Sequence, residues 1–197
     1  MARGYLPATM FRGITGASFA SLALGLLTVA ACGDTGLQPG IFANVVDTVT
    51  LYALDGTALQ LPSAYSISTA AVVRTDQSSS FDFAFNIKSG DSAVLLPTGA
   101  LHLGIGSGID TVAAPFDAIT IVPGGAYVDS LPVHIDSGTV AVVHSRATSC
   151  PVTGSFSFLY AKLQVLAIDT VARSLKMLVL SNKNCGYRSL EPGNPTR

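Results

Sequence analysis

Large apolar side chains occupy every second position in the segment that runs from Ser80 to Lys88. Phe81, Phe83, Phe85 and Ile87 are the four residues concerned. Successive side chains of a β-strand point to opposite faces, so this spacing places all four on one face. The segment therefore predicts a half-buried β-strand.

The acidic residues indicate that most of the chain is built in the same way. Eleven of the twelve acidic side chains are Asp, and only Glu191 is Glu. Asp favours turns and helix caps, whereas Glu is a good helix former. No stretch is typical of a long amphipathic helix. We therefore expect an all-β fold, a single antiparallel β-sandwich or small barrel of about ten short strands.

Turn signals divide the chain into further strands. Asp55-Gly56 lies between the apolar runs 47–54 and 57–61 and predicts a tight hairpin, because Gly accepts the positive φ that such a turn requires. Asp136-Ser137-Gly138 predicts another turn. The other predicted strands are residues 64–74, 92–96, 116–122, 131–135 and 139–144.

The last predicted hairpin is the longest. Its arms are residues 155–168 and 174–180, joined by residues 169–173. In the first arm the apolar face changes near Phe158-Leu159. We expect either a β-bulge at that point or a strand covered on both faces.

The N-terminal segment has the three parts of an export signal. Arg3 and Arg12 form a basic region, no residue from 14 to 31 is charged, and small residues precede Cys32. Val29-Ala30-Ala31-Cys32 resembles the lipobox of bacterial lipoprotein precursors. The resemblance implies cleavage before Cys32 and acylation of that cysteine with chains such as palmitate. The alternatives are a transmembrane anchor and an ordinary secretory signal that leaves a free thiol at Cys32.

This interpretation sets the domain boundaries and the location. We expect a signal peptide at 1–31, a short tether at 32–41, a β-domain at 42–190 and an irregular tail at 191–197. An extended chain of about ten residues spans only about 30 Å, so the domain would stay close to the bilayer. The expected location is the bacterial cell envelope, with the outer membrane favoured.

The cysteine count agrees with export. The chain has three cysteines, and lipidation of Cys32 accounts for the odd one. Cys150 and Cys185 then remain for a disulfide at the open end of the last hairpin. A metal site and a catalytic thiol are the alternatives, but neither cysteine belongs to a Cys-x-x-Cys pair.

Signals of chemistry are sparse. Basic residues form no run, so we expect no nucleic-acid partner. We also expect no metal, cofactor or catalytic residue, since His102, His134 and His144 stand singly in predicted strands. The weak candidate site comprises Arg146, Tyr187 and Arg188, which lie near the two cysteines in sequence. Arg and Tyr beside a rigid bridge suit a sugar, a carboxylate or a protein loop. In the alternative interpretation Tyr187 packs at the domain edge and the charges are solvated.

Three functions remain open on the sequence alone. The first is a membrane-anchored, non-enzymatic envelope lipoprotein that binds or scaffolds another envelope component. The second is a lipoprotein that captures a glycan, a lipid or a small molecule. The third is a hydrolase, which would require His134, His144 and an Asp to converge in space. The expected partners are the membrane, through the lipid anchor, and an envelope protein or glycan.

Overall fold

Two five-stranded antiparallel sheets and a two-stranded ribbon make up the computed structural model. It describes residues 39–104, 106–150 and 154–195. Cys32 and the predicted signal peptide therefore lie outside the described residues. The strands are β1 Val46–Tyr52, β2 Ala64–Ser66, β3 Ala71–Val73, β4 Phe83–Lys88, β5 Ser92–Pro97, β6 Gly108–Thr111, β7 Val133–His134, β8 Val140–His144, β9 Thr148–Ser149, β10 Phe156–Ser157, β11 Tyr160–Asp169 and β12 Ser174–Asn182.

The all-β prediction is confirmed, and the fold is a β-sandwich. The first sheet has the order β1-β12-β11-β8-β6, and the second has the order β3-β2-β4-β5-β7. Strands β9 and β10 form the separate ribbon. Each five-stranded sheet has two edge strands, so neither closes into a barrel. Among the described residues the helices are two short 3₁₀ turns, Thr98–Leu101 and Phe116–Ala118.

The main core lies between the two large sheets. Phe83 and Phe85 of the second sheet are fully buried together with Leu163 and Met177 of the first. Burial of each such side chain contributes about 1.5–3 kcal/mol relative to exposure. Phe83, Phe85 and Ile87 share this core as predicted, whereas Phe81 is buried in a different cluster, with Ala84.

The outer faces of both sheets are covered as well, which corrects the prediction of a half-buried strand at residues 80–88. Asp82, Ala84 and Asn86 are buried like their apolar neighbours. The cover on the second sheet is a small cluster of Ala64, Phe81 and Ala84 with Leu54, Val73 and Leu101. The first sheet is covered by a second cluster that includes Phe116, Ile119, Val122 and Leu190.

The predicted Asp55-Gly56 hairpin is wrong. Strand β1 pairs along its length with β12, and residues 57–61 are not a strand. Gly56 does adopt a positive φ, but within a wide loop. That loop is held from outside: Asp55 exchanges hydrogen bonds with Asn86, and the Arg173 guanidinium donates to the Asp55 carbonyl.

The prediction of a strand at residues 116–122 is also wrong. Pro115 and Pro123 bracket the segment, and it begins with a 3₁₀ turn. Its buried residues, Phe116, Ile119 and Val122, recur every third position, and they pack on the outer face of the first sheet. Because the segment packs on the face of the sheet and is not one of its strands, its buried and exposed residues need not alternate.

Two other predicted strands are divided or shortened. Residues 64–74 form the hairpin β2–β3, because the chain turns at Ala70 with a positive φ. Of residues 131–135, only Val133–His134 pairs. The turn at 136–138 joins β7 of the second sheet to β8 of the first.

The long final hairpin is confirmed as β11 and β12, paired from Tyr160↔Asn182 to Asp169↔Ser174. The change of apolar face at Phe158-Leu159 is a break between β10 and β11, not a bulge. A register shift does occur, but further on, between Val165 and Ala167. The tail at 191–195 is irregular except for a bridge between Gly193 and Asn44.

Candidate functional site

The predicted disulfide between Cys150 and Cys185 is present. Their Cα atoms are 5.5 Å apart and 35 positions apart in sequence. Cys150 directly follows β9, and Cys185 follows β12 after a short turn. The bond therefore joins the small ribbon to the open end of the final hairpin.

An apolar cavity of about 400 Å³ lies beside this bond. We call it the disulfide pocket. Its walls are formed by the two cysteines, Leu159 and Tyr187 on one side and by Ile41 and Phe42 on the other. Leu159 is buried, whereas Ile41 and Phe42 are 78% and 50% exposed. The pocket thus opens to solvent next to exposed apolar side chains.

Asn184 fixes the wall that contains Phe42. The Phe42 amide donates to the Asn184 side-chain oxygen at 3.0 Å, and the Asn184 amide group donates back to the Phe42 carbonyl at 2.7 Å. The Gly40 amide also bonds the Pro195 carbonyl, at 2.7 Å. The Lys183 ammonium lies 5.1 Å from the centroid of the Phe42 ring. This contact places a positive charge at the pocket.

A polar cavity of about 300 Å³ adjoins the disulfide pocket. We call it the polar cleft. Three residues line both cavities, namely Ser68, Thr148 and Leu159. The polar cleft adds hydroxyl and charged groups, from Ser66, Ser80, Asp82, Ser145 and Arg146. Together the cavities form one groove, apolar at one end and polar at the other.

The charged side chains of the polar cleft also hold the backbone. Asp82 accepts the Ile67 amide at 2.7 Å. Burial raises the pKa of its carboxyl group, while backbone hydrogen bonds from Ile67 and Arg146 and the charge of Arg146 act in the opposite direction. The Arg146 guanidinium donates to the carbonyls of Ser79 and Phe81, at 2.8 and 3.2 Å.

The structure brings together two of the three predicted ligand-binding residues. Arg146 lines the polar cleft and Tyr187 lines the disulfide pocket. Arg188 lines neither cavity, although it follows Tyr187 directly. Its guanidinium donates to the Val122 carbonyl at 2.8 Å and lies 5.9 Å from the Tyr160 ring centroid.

The histidines occupy different parts of the sandwich. His134 is in the second sheet, 3.7 Å from Asp136, and His144 is in the first sheet between Tyr127 and Phe158. His102 follows the first 3₁₀ turn. Within the part of the chain that the structure describes, no three His, Cys, Asp or Glu side chains are grouped to hold a metal ion.

Sequence reasoning missed Asp82, Phe42 and Lys183 as groove residues. Asp82 stands among the alternating phenylalanines and was assigned to an exposed face. Phe42 reaches the groove through hydrogen bonds to Asn184, 142 positions away. Lys183 directly follows β12, but only its contact with Phe42 identifies its position at the groove. No pattern in the neighbouring sequence indicates that Asp82, Phe42 or Lys183 lines the groove.

A third depression, of about 590 Å³, lies beside residues 111–115 and 138–140. The described residues that line it are uncharged. Over residues 39–104, 106–150 and 154–195 there is also no helix with the length and apolar character to cross a bilayer.

Comparison with known proteins adds no family. No protein-family model and no curated protein sequence matches the chain.

Proposed function

We propose that this protein is a lipid-anchored component of the bacterial envelope whose β-sandwich binds another envelope component without catalysing a reaction. The anchor is Cys32, through its resemblance to lipobox cysteines. The observation that supports the binding role is the groove, which joins apolar walls to hydroxyl and charged groups at one end of the sandwich. Such a mixture of apolar lining and a few polar groups is typical of binding sites.

The position of the groove supports a partner at the membrane surface. Ile41 and Phe42, in its wall, are nine and ten positions after Cys32. A chain of that length spans at most about 30 Å when extended. A bound component would therefore be in the membrane or able to approach its surface.

Crosslinking in living cells tests this function. A photoreactive amino acid replaces Ser68, an exposed residue that lines both cavities, and the matched control replaces Thr170, in the turn between β11 and β12. We expect position 68 to capture one envelope protein in stoichiometric yield and position 170 not to capture it. Identical products from both positions would contradict a binding role for the groove.

Capture of a small ligand is the second candidate function. It is favoured by the apolar walls and the size of the disulfide pocket, about 400 Å³, which is within the usual range for small-molecule sites. Mass spectrometry of the purified protein distinguishes the two functions. A retained glycan, lipid or small molecule without a crosslinked protein would favour ligand capture.

A further inference from the structure

The disulfide pocket combines apolar walls with a single positive charge. Leu159, the disulfide and the Phe42 ring contribute to its apolar lining. Among the described residues that line it, Lys183 is the only charged one. In the described part of the chain Lys183 forms no ion pair, and its ammonium contacts the face of the Phe42 ring.

The remaining polar side chains that line the pocket are uncharged. Ser68, Thr148, Ser149 and Tyr187 contribute hydroxyls and Asn184 an amide, and none of the described residues that line the pocket carries a carboxylate. An ammonium and hydroxyls favour an anionic oxygen group, since charge-assisted hydrogen bonds are the stronger kind. The apolar lining favours a hydrocarbon chain, because binding there removes the chain from water. The two preferences are satisfied together by an amphiphile.

We propose that the disulfide pocket binds one hydrocarbon chain of an anionic amphiphile, with its carboxylate or phosphate head at Lys183. This inference deepens the ligand-binding role proposed for the groove and rests on it. The short tether would place the pocket near a bilayer, which holds such molecules. Two sources share this chemistry, namely a free fatty acid and an anionic lysophospholipid.

A fluorescence titration tests the proposal with the full chain in phosphatidylcholine nanodiscs. The chain contains no Trp, so Phe42→Trp introduces a single reporter in the pocket wall. We expect dodecanoate to shift its emission to the blue in a saturable way. A second reporter, Phe156→Trp, replaces an exposed ring outside the pocket lining and should not respond.

Chain length and head charge are varied separately. Affinity should rise about fourfold for each added methylene from octanoate until the pocket is full. Lys183→Gln should weaken dodecanoate binding about five- to tenfold and leave dodecanol binding unchanged. Lys176→Gln, an exposed lysine on β12, should change neither.

Several results would overturn the proposal. These are no saturable shift with any amphiphile, an equal shift at position 156, or equal dodecanoate affinity in the Lys183→Gln and unsubstituted reporters. A response to lysophosphatidylglycerol alone would support the proposal with a phospholipid source, and a response to dodecanoate alone would support it with a fatty-acid source. The emission shift reports binding at the pocket whether or not a nanodisc holds the chain, so failure of the lipid anchor on Cys32 would leave this titration interpretable.

Discussion

Asp82 shows how one carboxyl group joins the two sheets at the groove. It precedes β4 in the second sheet, yet its partners include the backbone of Arg146, which follows β8 of the first. Its side chain is buried, and this burial raises its pKa above the ordinary value of 3.8. The stability of the fold therefore depends on whether the Asp82 carboxyl group is protonated.

Asp82→Asn tests whether ionisation of this carboxyl group lowers the stability of the fold as the pH rises. A carboxyl group whose pKa is raised by folding contributes most to stability below about pH 3.8. The contribution is lost as the pH rises through the folded-state pKa, because the buried group must then ionise. We expect the unsubstituted protein to lose stability relative to Asp82→Asn over this interval. Urea denaturation of both proteins between about pH 3 and pH 7 measures the difference.

Asp76→Asn is the matched control because its shift has the opposite sign. A hydrogen bond from Arg74 lowers the pKa of Asp76. Its contribution is present above about pH 3.8 and is lost as the pH falls through the folded-state pKa. The same pH trend in both variants would show that Asp82 is not the source.

The alternation around Asp82 could be read from the sequence, but its burial could not. A period of two identifies the strand and the residues that share a face. Whether the other face meets water depends on what covers it. The partners of Asp82 are Ile67 and Arg146, and Ala84 is covered by Leu54, Val73 and Leu101, all of which lie outside the alternating segment. For the same reason the sequence does not predict the burial of Lys162, which lies within β11 and is 2% exposed.

At the scale of elements, Lys162 ties an irregular segment to the first sheet. Its ammonium donates to the carbonyls of Phe116 and Ile119, both at 2.9 Å, and lies 4.4 Å from the Phe116 ring centroid. Burial lowers the pKa of the ammonium group. Lys162 thus adds two side-chain hydrogen bonds to residues 116–122, which are also hydrogen-bonded through their backbone to residues 188–190.

Lys162→Met should loosen this segment. The change keeps the apolar stem but removes both hydrogen bonds, so we expect a loss of about 1–3 kcal/mol in the free energy of unfolding. Hydrogen exchange should accelerate at residues 116–122, as measured by mass spectrometry. Lys176→Met, on the exposed side of β12, is the control and should alter neither quantity. Unchanged exchange in Lys162→Met would mean that the apolar contacts and the backbone hydrogen bonds to residues 188–190 hold the segment without Lys162.

Elements were predictable where their partners are close in sequence. β11 and β12 were found because a short turn separates two apolar runs, and the disulfide followed from their geometry. β1 was recognised as a strand but given the wrong partner, since β12 begins more than 120 positions later. Local turn chemistry at Asp55-Gly56 carries no information about so distant a strand.

The disulfide provides a second prediction about elements. Replacing both Cys150 and Cys185 by Ala should lower the free energy of unfolding by about 3–4 kcal/mol in oxidising buffer, on the chain-entropy account for a loop of this length. With full reduction the variant and the unsubstituted protein should unfold alike. Denaturation curves in both buffers measure this. Equal curves without reductant would contradict a stabilising bridge.

At the scale of the whole molecule, the described residues belong to one compact unit, Leu37–Arg197. Both large sheets contribute to a common core, and each has a separate cover on its outer face. The groove lies where the N-terminal part of this unit meets the disulfide. Binding and attachment to a membrane would therefore involve the same end of the chain.

Cys32→Ser separates attachment from folding. If acyl chains on Cys32 hold the protein, Cys32→Ser molecules from which the signal peptide has been removed should move from the membrane fraction to the soluble fraction, because they carry no acyl chain. Their denaturation midpoint should equal that of the acylated protein, since position 32 precedes the compact unit. Cell fractionation and intact-mass measurement test both points. Retention on membranes of an unsubstituted protein that keeps residues 1–31 and carries no acyl mass would instead indicate a transmembrane anchor. A soluble unsubstituted protein without acyl mass would indicate an ordinary secretory signal, and the groove would then meet its ligand in solution.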